Sequence, residues 1–114
     1  MRRDWDTVRR ILRTVADAPG PLHCSALTTS EDDAQKVREH VRMMGEAGLI
    51  EVTATTSGPI AQRLTWEGQD LLASIAEPGT WDRVKARMTE VGGDCAVSTL
   101  KSLAVKAAAA VLGL

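Results

Sequence analysis

Tyrosine and phenylalanine are absent from the 114 residues and tryptophan occurs three times, so Leu, Val, Ile, Met and Ala must fill the interior. Trp5, Trp66 and Trp81 each fall at the start of a predicted helix, where they are expected to anchor helix contacts. Cysteine is as scarce. Cys24 and Cys95 lie far apart, without a signal peptide or a regular cysteine framework, and a reducing cytoplasm is the expected compartment. An excess of one charge is also lacking: a net charge of -1 gives no global basic field, which disfavours tight sequence-independent nucleic-acid binding and leaves only local patches. The mostly apolar residues 103–114 follow Lys101, contain Lys106 and fall short of the roughly 20 residues a membrane span needs, so no transmembrane helix is expected. There is no Gly-rich phosphate loop after a strand and no nucleophile elbow, and no acid pair stands out from the surface acids. His23-Cys24 is the one tempting pair, but neighbours on a strand point to opposite faces, and His40 and Cys95 do not complete a zinc spacing. Buried cysteine and incidental histidine are the expectation. The chain is read as no enzyme, with no metal, cofactor or small-molecule substrate.

Hydrophobic residues make up 44% of the chain, enough for one domain with a core. The organising stretch is residues 43–72. Val37, Val41 and Met44 recur at helical spacing and Gly48 follows where a left-handed residue would stop the helix. Leu49 to Thr53 alternates apolar and polar, Ser57-Gly58-Pro59 is a turn cluster, and Ile60 to Leu64 alternates again, which predicts a β-hairpin. Thr65 is placed to cap the next helix, with Glu67 in its first turn and Leu71, Leu72 and Ile75 facing the core. This is the pattern of a winged helix.

Upstream, a first helix is predicted over about Asp4 to Ala18, with Trp5, Val8, Ile11, Leu12 and Val15 inward and Arg9, Arg10 and Arg13 on the polar face beside Asp6 and Asp17. Leu22 to Leu27 suits a third strand beside the hairpin. Ser30 followed by Glu31, Asp32 and Asp33 looks like an N-cap with an acidic first turn, starting a helix near Glu31. Too little sequence lies between residues 22 and 30 for both a strand and a full second helix, so the helix-turn-helix is abbreviated. Downstream, a helix over about Thr65 to Ala76 gives way to a Pro78-Gly79 turn and to a helix capped by Thr80, with Trp81, Val84, Met88 and Val91 as its stripe and Gly92-Gly93 as its end. A last helix, from about Asp94 or Val97, carries Leu100, Leu103, Ala104, Ala107, Val111 and Leu114 on one broad face. Its opposite face is mostly small residues, so it is expected to meet helix 1 and a second subunit, the alternative being that it completes the core of a monomer. The organisation read here is α+β: a winged-helix domain over residues 1–76 and a two-helix extension over 77–114.

Glu46-Ala47-Gly48-Leu49-Ile50 together with Arg63-Leu64-Thr65-Trp66-Glu67-Gly68 resembles a pattern common to bacterial winged-helix regulators. Over nearly its whole length the chain also resembles a small winged-helix family of phages, prophages and bacteria. The likeness lies in Arg3 to Asp6, Leu64 to Gly68, the Trp-plus-basic segment Trp81 to Arg87 and the Leu-Gly-Leu end, Leu112 to Leu114. The resemblance implies a winged-helix fold and a phage-like context, and no activity.

Two functions remain open. The first is a DNA-binding transcriptional regulator, with helix 3 in the major groove and the wing on phosphate. Its candidate contacts are Gln35, Lys36, Arg38 and Arg42 on the helix, Thr55, Thr56, Ser57 and Arg63 on the wing, and Arg9, Arg10 and Arg13 on helix 1. Against it, Glu31, Asp32, Asp33, Glu39 and Glu46 outnumber Lys36, Arg38 and Arg42 across residues 30–47. The second is a phage accessory protein that uses the same scaffold, the same residues, the edge residue Met43 and the Ala-rich last helix to bind a host protein such as a defence or transcription component.

Overall fold

The computed structural model of the chain describes residues 3–29, 33–90, 100, 102–104 and 106. It is an α+β protein that divides into two compact units, residues 1–69 and 70–114. The first holds α1 (Trp5–Asp17), β1 (Leu22–His23), α2 (Cys24–Leu27), α3 (Ala34–Glu46), β2 (Ile50–Thr53), β3 (Ile60–Leu64) and the first turn of α4 (Trp66–Ile75). The second holds the rest of α4 and α5 (Pro78–Glu90), with residues 100, 102–104 and 106 also helical.

α1 begins where Asp4 accepts the amides of Asp6 and Thr7 at 3.0 and 3.3 Å, satisfying N–H groups the first turn would otherwise leave open. It buries Trp5, Val8, Ile11, Leu12 and Val15, the face its spacing predicts, and Thr7 beside them. The strand expected over Leu22 to Leu27 stops at His23. β1 pairs antiparallel with β3, Leu22 opposite Ala61 and His23 opposite Ile60. The His23 ring then accepts the Ser25 amide at 3.1 Å, capping a single helical turn, α2, that buries Cys24 and Leu27 three residues apart. A local side-chain hydrogen bond thus turns the backbone out of the sheet. Among the described residues this one turn is the helix between β1 and α3.

α3 starts at Ala34, with Asp33 as its cap accepting the Gln35 amide at 2.9 Å, rather than near Glu31. Ser30, the expected cap, lies outside the described residues. The helix buries Val37, His40, Val41 and Met44. It ends as its glycine predicts: Gly48 has φ 77°, its N–H donates to Gly45 and that of Leu49 to Met44, the paired bonds of a Schellman cap. The sheet order is β1-β3-β2, with Ile50 opposite Leu64, Glu51 opposite Arg63, Val52 opposite Ala61 and a bulge between Glu51 and Val52. Thr65 accepts the Gly68 amide at 3.0 Å and so caps α4 as expected. A side chain at residue 68 would place its Cβ 1.9 Å from the Leu49 carbonyl oxygen, so this close approach of backbone to backbone requires the glycine that ends the Leu64 to Gly68 motif.

In the second unit α4 buries Leu71 and Ile75 and leaves Leu72 half-buried, while α5 buries Thr80, Trp81, Val84 and Met88. The cap of α5 is Glu77, not Thr80. The Glu77 carboxylate accepts the amides of Gly79 and Thr80 and the Thr80 hydroxyl, and Pro78 occupies the first helical position, where its missing N–H costs nothing. These bonds hold the Glu77 carboxyl below its ordinary range, against a small opposing effect of burial. The three tryptophans also divide. Trp5 and Trp81 are 5% and 3% exposed and anchor their helices, but Trp66 is 81% exposed. At 100° per residue it falls on the side of α4 turned away from Leu71 and Ile75. Val91 and the Gly92-Gly93 end lie outside the described residues.

Candidate functional site

The surface that the sequence marks for contact is gathered around α3, and its cations have different fates. Lys36, on the side facing α1, reaches the Asp4 carboxylate at 2.5 Å. Burial acts to raise the Asp4 carboxyl, but the Lys36 ammonium and the Thr7 amide and hydroxyl outweigh it, so Asp4 sits below its ordinary value. His40, one turn further on and fully buried, closes the same junction: its Nε2 accepts the Asp4 amide at 2.9 Å and its Nδ1–H donates to the Lys36 carbonyl at 2.7 Å. Lys36 is thereby spent on joining two helices. His40 is structural, and its place among Val37, Val41 and Met44 on one helical face was the signal that it is buried.

On the outward face Glu39 accepts from Gln35 at 3.1 Å and from Arg42 at 2.9 Å, three exposed or half-buried groups in one local network. Arg63 on β3 forks onto Glu51 across the hairpin, with bonds of 3.1 and 2.7 Å, and also donates to the Leu64 carbonyl. These are solvent-exposed pairs of small individual worth, so a stronger anion can displace the carboxylate at little cost. On α1, Arg10 donates to the Leu27 carbonyl at 2.7 Å and so fastens α2 to α1, and Arg9 is half-buried. Arg13 is exposed and has no hydrogen bond or ion pair among the described residues.

Arg38 differs from all of these. It is half-buried, its Nε–H is sealed from solvent without an acceptor, and among the described residues its guanidinium has neither hydrogen bond nor ion pair. It lies against the turn between β2 and β3. A Cβ built on Gly58 would be 3.7 Å from Arg38 Nε, 3.6 Å from His23 Nε2 and 2.7 Å from Cys24 Sγ, so three side chains converge where this residue has none. Gly58 also has φ 131°, a conformation that disfavours any side chain.

The turn itself is held by a directed chain of hydrogen bonds. Because His23 Nδ1 accepts from the Ser25 amide, Nε2 carries the proton and donates to Ser57 Oγ at 3.1 Å. Ser57 then donates to Thr55 Oγ1 at 3.1 Å, and Thr55 donates to the Gly58 carbonyl at 2.5 Å. His23 is thus an organiser of the turn, a role that sequence reasoning missed. The expectation that His23 and Cys24 point apart is corrected as well: the strand has ended, and Cys24 Sγ lies 3.8 Å from His23 Nδ1. Thr56, at the exposed tip, makes no hydrogen bond among the described residues.

Beside Arg38 an open groove of about 350 Å³ runs between α3 and the hairpin, lined by Arg42, Gly45, Glu46, Val52, Ala54, Thr55 and Pro59. Its floor is apolar and its rim carries one cation and one anion. The fold therefore brings Gln35, Arg38, Arg42 and Thr55 to Ser57 to one side of the first unit. Arg63, on the hairpin, and Arg13, on α1, are not tied into that cluster by any hydrogen bond or ion pair among the described residues. Of the expected dimer face, Leu100 and Ala104 are buried and Leu103 half-buried; Ala107, Val111 and Leu114 lie outside the described residues. Among the described residues no group of three or more His, Cys, Asp or Glu is placed to hold a metal ion, and no helix is long and apolar enough to cross a membrane.

Residues 2–94 match the model of a protein family described as "Hypothetical protein (DUF2513)". An "Uncharacterized protein" of Haemophilus influenzae is 31% identical over 111 residues, covering 91% of this chain and 92% of that one. No solved structure matches the chain.

Proposed function

The chain belongs to the DUF2513 family, and we propose that it is a winged-helix DNA-binding regulator of the cytoplasm, of the kind found in phages and prophages. α3 is the reading helix and the β2–β3 hairpin the wing. The single observation that carries this reading is Arg38. A guanidinium left without an acceptor at the junction of the two elements that would touch DNA is costly to the free protein, because an unmet buried donor costs about 1–3 kcal/mol. The sealed Nε–H fixes the side chain against the turn, and the terminal N–H groups of the fork, which are not sealed, are the donors an anion would meet. Gln35 and Arg42 extend the same face, and their pairing with Glu39 is weak enough to be exchanged for bases and phosphates. The extension over residues 77–114 would supply the dimer; Leu100 and Ala104 are already buried within the single chain, which leaves Leu103, Ala107, Val111 and Leu114 of the expected face to meet a second subunit.

The test is binding to random-sequence duplex and to the fragment upstream of the protein's own gene at low and near-physiological salt. Specific binding whose salt slope falls by about 2 in Arg38→Ala/Arg42→Ala is expected, one unit for each lost phosphate contact. Absence of binding at both salts overturns the reading. Truncation before Asp94 tests the dimer: a chain that stays dimeric after that loss refutes the assignment to the last helix.

One observation favours a second reading, a phage accessory protein that docks on a host protein. Trp66 is 81% exposed, and exposed tryptophans are enriched among the side chains that dominate protein interfaces. Trp66→Ala separates the two readings, since it should abolish capture of a protein partner and leave DNA affinity unchanged.

A further inference from the structure

We propose that Arg38 and the Thr55–Gly58 turn form a site for one tetrahedral oxyanion, which, resting on the DNA reading above, is a backbone phosphodiester next to the groove read by α3. The donors belong to two elements that meet at Gly58. Arg38 offers a planar fork of N–H groups that nothing in the described protein accepts, and such a fork suits two oxygens of one phosphate. Just before the glycine against which it packs, the turn offers the Thr56 and Ser57 amides and the Thr56 hydroxyl, none of which donates within the described protein. Donors on a helix and on a turn approach from two directions, as a tetrahedral acceptor requires.

Two acids of α3 and the hairpin are, among the described residues, already taken by other donors. Glu39, next in sequence to Arg38, is taken by Gln35 and Arg42, and Glu51 is taken by Arg63. Lys36, the other interior cation of the helix, has an aspartate built for it. Of the described cations on α3, Arg38 is the one left to an outside ligand. The turn is also fixed before the ligand arrives, because the chain from the Ser25 amide through His23, Ser57 and Thr55 to the Gly58 carbonyl leaves each of these groups one orientation. Preorganisation of this kind removes the ordering cost that a free surface loop would incur on binding. His23 is accordingly a positioning residue for the site, acting through Ser57.

The experiment is a nitrogen-15 NMR titration of the full chain, following arginine Nε–H and backbone amide signals, first with inorganic phosphate against matched sodium chloride and then with a short duplex. The Arg38 signal is identified by its loss in Arg38→Lys, which keeps the charge and removes the fork. Saturable shifts of Arg38 Nε–H and of the Thr56 and Ser57 amides with phosphate, absent with chloride, are expected. Arg38→Lys should lose the amide shifts and bind duplex about tenfold more weakly, the worth of one charge-assisted hydrogen bond. Thr56→Ala, at the exposed tip, gives a second reading of the same site with a smaller loss. Phosphate shifts without duplex binding uphold the oxyanion site and overturn the DNA reading. Duplex binding that is equally tight in wild type, Arg38→Lys and Thr56→Ala overturns the site and leaves the DNA reading standing. Shifts that chloride reproduces overturn the site whatever the duplex does.

Discussion

The two flanks of α3 solve the same problem in opposite ways. Toward α1, Lys36 meets Asp4, Asp4 also caps its own helix, and His40 uses both ring nitrogens on the backbone of the junction. Toward the β2–β3 turn, two residues further along the same helix, Arg38 is half-buried and meets no acceptor among the described residues. Both flanks place a cation next to packed apolar groups, and a buried polar group without a partner is expensive. The difference teaches where the molecule has been closed and where it has been left open. On the α1 flank stability is complete in the isolated chain. On the turn flank the Arg38 Nε–H is left without a partner among the described residues.

The largest expected effect breaks the closed flank. His40→Ala leaves the Asp4 amide without its acceptor, takes from the Lys36 carbonyl the donor it has besides the helical amide of residue 40, and opens a cavity beside Val37 and Val41. Urea unfolding should register a loss of about 3 kcal/mol. A loss below about 1 kcal/mol would mean that water replaces both bonds, and that the α1–α3 junction is less tightly built than its geometry indicates. Next comes the turn. Gly58→Ala forces a side chain at φ 131° and drives a methyl to 2.7 Å from Cys24 Sγ, for a cost of about 2 kcal/mol. The Cys24→Ala background should return only the steric part, because the backbone strain remains.

Acid should weaken the closed flank selectively. Asp4 has its carboxyl held below the ordinary value of roughly 3.9, so the folded state binds its proton less readily than the unfolded chain does. Its stabilisation is therefore complete above that value and is lost as pH falls through the lower folded one. Asp4→Asn keeps much of the helix cap and removes the titration. The gap in stability between wild type and Asp4→Asn, about 1 kcal/mol near pH 6, should shrink below pH 4. A gap independent of pH would show that Lys36 contributes nothing through charge.

Much of this architecture was legible in the residues, and the parts that were not share a cause. Hydrophobic spacing fixed the buried faces of α1 and α3, and Gly48 and Thr65 marked the end of α3 and the start of α4, because these signals are local and depend on backbone geometry alone. The misplaced boundaries, Ala34 for Glu31, Glu77 for Thr80 and a helical turn at Cys24, all turn on which of several adjacent polar side chains reaches back to an amide. Ser30 or Asp33, Thr80 or Glu77: both members of each pair are competent caps, and only packing decides. The site followed the same rule. Arg38 and Arg42 stood out as cations on α3, but that Arg38 is left over while Lys36, Arg42 and Arg63 are each met by an acid depends on neighbours up to 32 residues away, as Asp4 is from Lys36. The exposure of Trp66 was legible too, in its helical spacing from Leu71 and Ile75, but its place at a helix start, shared with Trp5 and Trp81, suggested a buried anchor.

The smallest expected effect is the one that bears most directly on the comparison, because its sign should differ between the flanks. Methionine has nearly the length of the lysine and arginine stems and no polar group to satisfy. Lys36→Met removes the partner of Asp4 and should lower stability by about 1 kcal/mol, a figure kept small because the pair is partly exposed. Arg38→Met removes a donor that has no acceptor and keeps the apolar stem against Gly58, so stability should hold or rise by up to about 1 kcal/mol. The same substitution should reduce the affinity for duplex DNA, the ligand proposed for that flank. A gain in stability bought at the expense of binding is the behaviour of a group retained for function. If Arg38→Met instead destabilises the chain as much as Lys36→Met does, the guanidinium is satisfied in solution by water or by residues outside those described, and the two flanks of α3 are equally closed.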